Sequence, residues 1–406
     1  MGGFVASGFE AVAEAFERNL SERDELGAAF AAVVHGTCVV DLWGGVADRA
    51  RAIPWTDDTM CAIFSGTKGL VAACLLLQID RGALDLESPV CAYWPEFATH
   101  GKQDILVRHV VAHQTGLPGL TTPVTIEEAA DPLRMARLLA EQPPIGPPGS
   151  WYAYHAMTFG WLCGEVIRRV DGRSVGQVLR EDIAEPLDLE VWIGLPDEHE
   201  PRVAVLERGH GFAGRGMQLD ATGRSIWENP PRFSSDGLAA NTRLWRSAEI
   251  PSTSAIGTAR SIARLYGCLA RDGELDGIRI LTAAAVRTGR RCLARGHDRY
   301  LDGPMAVGVG FQLQTERAVF GEPADAFGHP GAGGSVHGAW PSLRTGFSYV
   351  TNRLGTLGAP DPRAQALLGA LHEAVAGVEP DAQALHVEVD GADRGAGSRG
   401  RHDPQH

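Results

Sequence analysis

The amino-acid sequence predicts a mixed α/β (α+β) fold in which an antiparallel sheet is flanked by helices and interrupted by an inserted, mainly helical subdomain. Three observations predict it. Helical periodicity occurs near both ends of the 406-residue chain, β-like apolar runs accompany it at both ends, and the long middle consists of proline-rich loops with short helical stretches. The expected division is a sheet domain from residues 1–84 and 253–378, a helical insert over 85–252, and a disordered tail over 379–406.

Residues 8–24 place Phe9, Val12, Phe16 and Leu20 at helical spacing. Ala29–Asp41 then reads as a β-like run ending Cys38-Val39-Val40-Asp41-Leu42-Trp43, with Gly44-Gly45 expected to close a hairpin. A second strand is expected near Met60–Phe64. Ser65–Arg81 carries Leu70, Ala73, Cys74 and Leu77 at helical spacing and stops at Gly82, which predicts a long buried helix. Shorter helices are expected within 107–113, 126–142 and 157–170.

Residues 254–272 form a clear amphipathic pattern through Ile262, Leu265, Tyr266 and Leu269. Strands are expected to recur at 307–314, 334–341 and 346–352, and a last helix over 362–378 is expected to pack beside the first. From Glu379 onward the chain turns polar and rich in Gly, Asp and Arg, the composition of a segment that cannot bury enough apolar surface to order itself. No internal repeat of solenoid period is present.

A chain of this length with 44% hydrophobic residues can build a large core without disulfides. Its seven cysteines are odd in number and scattered, several in apolar surroundings, and read as reduced thiols rather than a disulfide framework or metal site. The formal charge of -13 repels phosphate backbones and anionic headgroups, so neither nucleic acid nor membrane is an expected partner. Met1–Glu10 lacks the basic and apolar regions of a secretory signal, and no apolar run reaches spanning length, which gives a cytoplasmic expectation. The sequence carries no signal for the oligomeric state.

One bias bears on chemistry: of the 37 basic residues only Lys68 and Lys102 are lysines. Lys68 belongs to Phe64-Ser65-Gly66-Thr67-Lys68 at a strand-to-helix junction, where the S-x-x-K spacing brings amine and hydroxyl to one helix face. A serine hydroxyl becomes a useful nucleophile when a neighbour takes its proton. A buried lysine, unlike arginine, can be deprotonated to do so. Ser65 is therefore the expected nucleophile and Lys68 its base, while the helix start offers backbone N–H groups to an oxyanion. The bland reading of the same residues is a helix N-cap serine with a surface lysine.

Two further elements carry chemistry. Tyr154, in Trp151-Tyr152-Ala153-Tyr154-His155-Ala156, sits at a loop-to-helix junction from which a phenol near cations can relay a proton, though a lone tyrosine is more often packed in a core. Phe327-Gly328-His329-Pro330-Gly331-Ala332-Gly333-Gly334-Ser335 is a glycine-rich turn before a strand, where substrate can approach the backbone and an N–H can complete an oxyanion hole; alone it is also a plain hairpin. His155 and His337 lie beside these elements, able to touch substrate or to sit behind the groups that do. His109 and His113 have the i, i+4 spacing of a zinc helix but lack its glutamate, so no metal is expected.

In order and separation these elements resemble the serine β-lactamase and penicillin-binding-protein superfamily, most closely the class C-like family VIII carboxylesterases. The likeness spans about residues 8–375 and includes Asp80-Arg81-Gly82-Ala83-Leu84-Asp85-Leu86, Val107-Arg108-His109-Val110-Val111-Ala112-His113-Gln114-Thr115-Gly116-Leu117-Pro118 and Gly257-Thr258-Ala259-Arg260-Ser261-Ile262. The resemblance implies a β-lactamase/transpeptidase-like fold and no cofactor. It implies Ser65 as the acylated residue, Lys68 as base, Tyr154 as the second proton-transfer group of the Y-x-N element, and the Ser65 and Ala332 N–H groups as oxyanion donors. It also makes His113 a structural loop histidine. Trp151, His155, His329 and Gly331 are then expected substrate contacts.

Two departures matter. Ala156 stands where β-lactamases keep the asparagine of Y-x-N, and His329-Pro330-Gly331 replaces Lys-Thr/Ser-Gly, removing a hydroxyl and a permanent cation for a substrate carboxylate. The expected function is a serine hydrolase acting on carboxylic esters or lactones. Acyl transfer from a small acyl donor to an amine or alcohol is the alternative, and a β-lactamase, a D-peptidase or a non-catalytic scaffold ranks below both.

Overall fold

The computed structural model describes residues 1–210, 212, 219–234, 237–355 and 360–377, so the tail expected to be disordered lies outside the described residues. Among them, ten strands form one large antiparallel sheet. Its path runs Gly2–Val5, Thr37–Asp48, Gly27–Val34, Thr345–Thr351, Val336–Trp340, Phe327–Pro330, Gln312–Leu313, Gly303–Val307 and Ala294–Asp298, and Ile53–Pro54 pairs to the side of Thr37–Asp48. The mixed α/β architecture with an antiparallel sheet is thus present.

The two ends of the chain meet at the centre of this sheet, where Thr345 pairs with Val34 and Thr351 with Ala28. Because side chains alternate across a strand, Ala29, Ala31 and Val33 enter the core on one face while Ala28, Phe30, Ala32 and Val34 enter that on the other. Both faces are covered, which is why Gly27–Val34 is almost uninterruptedly apolar. One cover is the helix Ala259–Ala270, which approaches so closely that a Cβ on Gly267 would lie 2.9 Å from Val33. The opposite face carries the helices Glu10–Glu22 and Pro362–Ala376, packed together as the periodicity predicts.

Several boundaries differ from the sequence expectation. The hairpin turns at His35-Gly36, both in the left-handed region with φ of 52° and 94°, whereas Gly44 and Gly45 lie inside the strand opposite Ala28 and Gly27. A two-residue hairpin requires that geometry, and the unbroken apolar character on either side of His35 hid it. The strand near Met60–Phe64 is only Cys61–Ala62, which joins Ile256–Gly257 and Val191–Trp192 in a separate small sheet. Residues 307–314 split into two strands, Ala294–Asp298 is an additional one, and Phe327–Pro330 is strand rather than turn.

The helix Thr67–Asp80 is buried on all sides, from Thr67 through Gln78. It packs against Thr158–Asp171 and Ala283–Arg290 as well as the sheet, which accounts for its lack of a polar face. This central helix carries Lys68. No helix among the described residues is long and apolar enough to cross a membrane.

Candidate active site

Ser65 sits on a sharp turn. Phe64 has φ of +46°, a left-handed conformation unusual for a bulky residue, and a single 3-10 turn over Phe64–Gly66 leads into the helix at Thr67. Surrounding contacts hold this turn. Ile63 N–H donates to the Ala255 carbonyl at 3.0 Å, Ala255 N–H donates to Thr67 Oγ1 at 2.9 Å, and the Phe64 ring lies 5.8 Å from that of Phe233. The turn delivers Ser65, partly exposed, to the cavity wall.

Lys68 follows one turn later and is fully buried, its Nζ 3.2 Å from Ser65 Oγ. The same nitrogen donates to the Ala156 carbonyl at 2.9 Å and the Ser252 carbonyl at 3.0 Å. It pairs with no carboxylate among the described residues. Burial, reinforced by the nearby Arg232 cation, holds its pKa well below the ordinary 10.5. A neutral amine has two protons and one lone pair. In that form the two carbonyls would take the protons and the lone pair would be left for the Ser65 hydroxyl.

Tyr154 is buried, and its ring lies 5.0 Å from Lys68 Nζ and 6.2 Å from the His329 ring. Trp227 stacks on it at 6.1 Å. Its backbone N–H donates to Asp298 Oδ2 at 2.5 Å, while Asp298 Oδ1 accepts from the N–H groups of Tyr300 and Leu301 at 2.8 Å. Asp298 is fully buried and was not singled out from the sequence. The available signal was an aspartate two and three residues before N–H groups it can turn onto.

The glycine-rich element is a strand end and a tight loop. His329 pairs with His337 in the sheet, and Gly331 N–H closes the loop onto the Ser335 carbonyl at 2.8 Å. Gly333, at φ 87°, offers its carbonyl to Gly355 N–H at 2.8 Å and to Arg363 Nη2 at 3.3 Å. Arg363 is itself held by Asp361 through paired contacts of 2.9 and 2.8 Å and by Glu25 at 3.2 Å, all three side chains being buried. This buried ion network anchors the loop that presents Ala332, and it too was missed in the sequence.

His329 and Gly331 line the cavity with Ala332. His329 Nδ1 is 2.8 Å from the Pro330 carbonyl, and its Nε2 has no partner among the described residues. Burial, followed by the closeness of Lys68, lowers its pKa well below 6.5, so it is a neutral imidazole at neutral pH. His337 lies behind the turn, where a Cβ on Gly66 would come within 2.6 Å of its ring, and its Nδ1 is 2.8 Å from Ser348 Oγ.

Two expected substrate contacts lie elsewhere. His155 is fully buried and outside the cavity lining, with Nδ1 2.6 Å from the Ala153 carbonyl and Nε2 2.7 Å from Thr115 Oγ1, so both ring nitrogens are committed within the protein. Trp151 is likewise outside that lining and packs over Gly146, whose Cβ would meet its ring at 2.8 Å. His109 and His113 do not share a helix face. The helix ends at Val111, His113 has φ of 60° and accepts His155 N–H, and His109 Nδ1 accepts Leu106 N–H. His113 thus fastens the loop that carries Tyr154.

Ser65, Tyr154, Ala156, His329 and Ala332 open on one cavity of about 660 Å³. Its walls are mainly apolar, with Leu219, Trp227, Phe233, Leu301, Met305 and Phe320 prominent. Arg232, a further buried cation, lines it as well. The arrangement can hold an apolar acyl compound with its carbonyl against Ser65.

Comparison with known proteins shows the family and the fold. The family described as Beta-lactamase matches residues 12–371. The chain is 37% identical over 355 residues to the esterase/beta-lactamase LipL of Mycobacterium tuberculosis, covering 85% of this chain and 81% of that protein. A family VIII carboxylesterase crystal structure superposes with a TM-score of 0.86 at 35% identity, covering 92% of this chain and 99% of the other. A penicillin-binding-protein homologue from Caulobacter crescentus also superposes with a TM-score of 0.86, at 39% identity over 92% of this chain and 99% of its own. By fold, site and these similarities, the chain belongs to the beta-lactamase family, within the serine β-lactamase and penicillin-binding-protein superfamily that its motifs resemble.

Proposed function

We propose that the protein is a serine hydrolase that cleaves carboxylic esters or lactones through an acyl-enzyme on Ser65. The observation that carries this reading is the surround of Lys68: a buried amine whose Nζ lies 2.9 and 3.0 Å from two carbonyl oxygens and 3.2 Å from the Ser65 hydroxyl, so that in its neutral form the lone pair is the part left for that hydroxyl.

Lys68 takes the Ser65 proton as Oγ attacks the substrate carbonyl carbon, and the oxyanion is held by the N–H groups of Ser65 and Ala332. Collapse breaks the bond to the alcohol oxygen, which receives a proton by way of Tyr154, beside Lys68. Water then attacks the acyl-enzyme, giving up its proton along the same route, and Ser65 leaves with its hydroxyl restored. Every group required is a side chain or backbone N–H of this chain, and the reading calls for no cofactor.

The similar proteins named as an esterase/beta-lactamase and a family VIII carboxylesterase support ester cleavage. Ala156 contributes only its carbonyl to the site, and that is engaged by Lys68, which leaves no amide at this position to grip a β-lactam side chain. The roomy apolar cavity also supports the transferase reading, in which an amine or alcohol replaces water at the second step.

A fluorophosphonate probe followed by intact-mass analysis is expected to add once to the wild-type protein and not to Ser65→Ala. An unlabelled wild-type protein would sink the nucleophile assignment. Partitioning of an acyl ester between water and added acceptors separates hydrolase from transferase, since product ratios that ignore the acceptor exclude a dedicated transferase.

A further inference from the structure

Among the described residues, no carboxylate pairs with one cation of the cavity. Arg232 is 7% exposed and lines the cavity with Ser65 and Tyr154. Its Nη2 donates to the Trp227 carbonyl at 3.2 Å, and its guanidinium lies 5.6 Å from the centre of the Phe233 ring. No ion pair joins it to a carboxylate among the described residues, whereas the buried Arg363 has two such partners. An isolated buried charge is costly, so guanidinium groups left in this condition are characteristic of places where an anion arrives. Burial lowers its pKa only to about 10, which leaves it charged at neutral pH.

The location is specific to the reacting groups. Trp227, whose carbonyl holds Arg232, stacks on Tyr154 at 6.1 Å; Phe233, under the guanidinium, lies 5.8 Å from Phe64, the neighbour of Ser65. Arg232 is therefore linked to the phenol through Trp227 and to the neighbour of the nucleophile through Phe233. Arg317, another arginine of the lining, differs: it is half-buried and donates to the Asp302 carbonyl. Glu228 also lines the cavity but is exposed. The cavity walls as a whole are mainly apolar, so a ligand anion there meets little competition from water.

We infer that Arg232 is an anion-recognition residue, and that the substrates are esters carrying a carboxylate in addition to the scissile bond. This deepens the proposed function and rests on it. His329, where the wider family places a lysine, is an imidazole held neutral by burial, so carboxylate recognition in this chain falls to Arg232. A planar guanidinium suits a carboxylate because it can donate two parallel hydrogen bonds.

The test compares pairs of esters that differ only by methylation of the carboxylate: 4-nitrophenyl hydrogen adipate against its methyl ester, and 3-acetoxybenzoate against its methyl ester. The quantity read is the ratio of kcat/KM for acid over methyl ester within each enzyme form, so that a general loss of activity cancels. In at least one pair the wild type is expected to prefer the acid roughly ten- to a hundredfold, as loss of a charged hydrogen bond implies. Arg232→Gln abolishes that preference and Arg232→Lys retains part of it. Equal ratios for both pairs in the wild type, or a preference that survives Arg232→Gln, would overturn the inference.

Calorimetry with hexanoate and hexanamide tests the same site without turnover. Hexanoate is expected to bind the wild type more tightly than hexanamide, and the difference to vanish in Arg232→Gln. Carboxylate binding with no ester turnover in the wild type would sink the esterase reading and leave the anion site standing; turnover without carboxylate selectivity would do the reverse.

Discussion

The carboxylate of Asp298 accepts the backbone N–H of Tyr154 at 2.5 Å, joining two segments 144 residues apart in the chain. The other carboxylate oxygen accepts two further N–H groups, so one buried side chain fixes both the Tyr154 loop and the hairpin that walls the cavity. Asp298→Ala leaves three N–H donors, two of them buried, without their acceptor. It is expected to cost about 3 kcal/mol in denaturant unfolding and to lower kcat more than it changes KM, because Tyr154 loses its position rather than its chemistry. A variant with wild-type stability and kcat would show that the contact positions nothing.

Lys68→Arg is expected to be as damaging as Lys68→Ala, with kcat/KM falling by roughly a hundred- to ten-thousandfold, since guanidinium does not accept a proton at accessible pH. Its sign in pH follows from the lowered pKa. The working form is the neutral amine, so activity rises as pH increases through that pKa and is established well below 10.5. The acid limb of the kcat/KM profile should be absent from whatever residual activity Lys68→Ala keeps. A limb that persists unchanged in the variant belongs to another group.

Arg363→Met removes the partner of Asp361 and Glu25 and the side-chain donor to Gly333. Breaking a buried charge network from one side typically costs about 3–5 kcal/mol. Thermal and denaturant unfolding should both show the loss. Surviving folded enzyme is expected to acylate more slowly at unchanged substrate affinity, because the loop presenting Ala332 has lost its anchor.

Gly69 lies on the buried helix where a Cβ would come within 2.1 Å of the Tyr266 hydroxyl oxygen. Alanine normally favours a helix interior by about 1 kcal/mol, but here overpacking is expected to dominate and Gly69→Ala to destabilise by about 1–3 kcal/mol. Adding Tyr266→Phe removes the clashing oxygen and should recover much of that loss in a double-mutant cycle. Independent, additive effects would place the crowding elsewhere.

Much of this protein was legible before any tertiary contact was known. Periodicity marks the helices Glu10–Glu22, Thr67–Asp80, Ala259–Ala270 and Pro362–Ala376 because each buries a stripe or its whole surface, and burial leaves an apolar pattern in the chain. The Ser65–Lys68 pair is legible for a similar reason: an i, i+3 spacing on a helix is a local geometry, and a lysine in an arginine-biased chain is a local anomaly. The turn at His35-Gly36, the Asp298 bracket, the Arg363 network and Arg232, without a carboxylate partner among the described residues, are of another kind. Their significance lies in partners distant along the chain in some cases and in a cavity wall in others, as the 144-residue Asp298–Tyr154 and 338-residue Arg363–Glu25 separations illustrate. Likewise the sequence placed His155 beside Tyr154, yet the direction its ring faces follows from Thr115 and the turn at His113. Short-range spacing is written in the chain because backbone geometry repeats, whereas the company a side chain keeps follows from how distant segments pack.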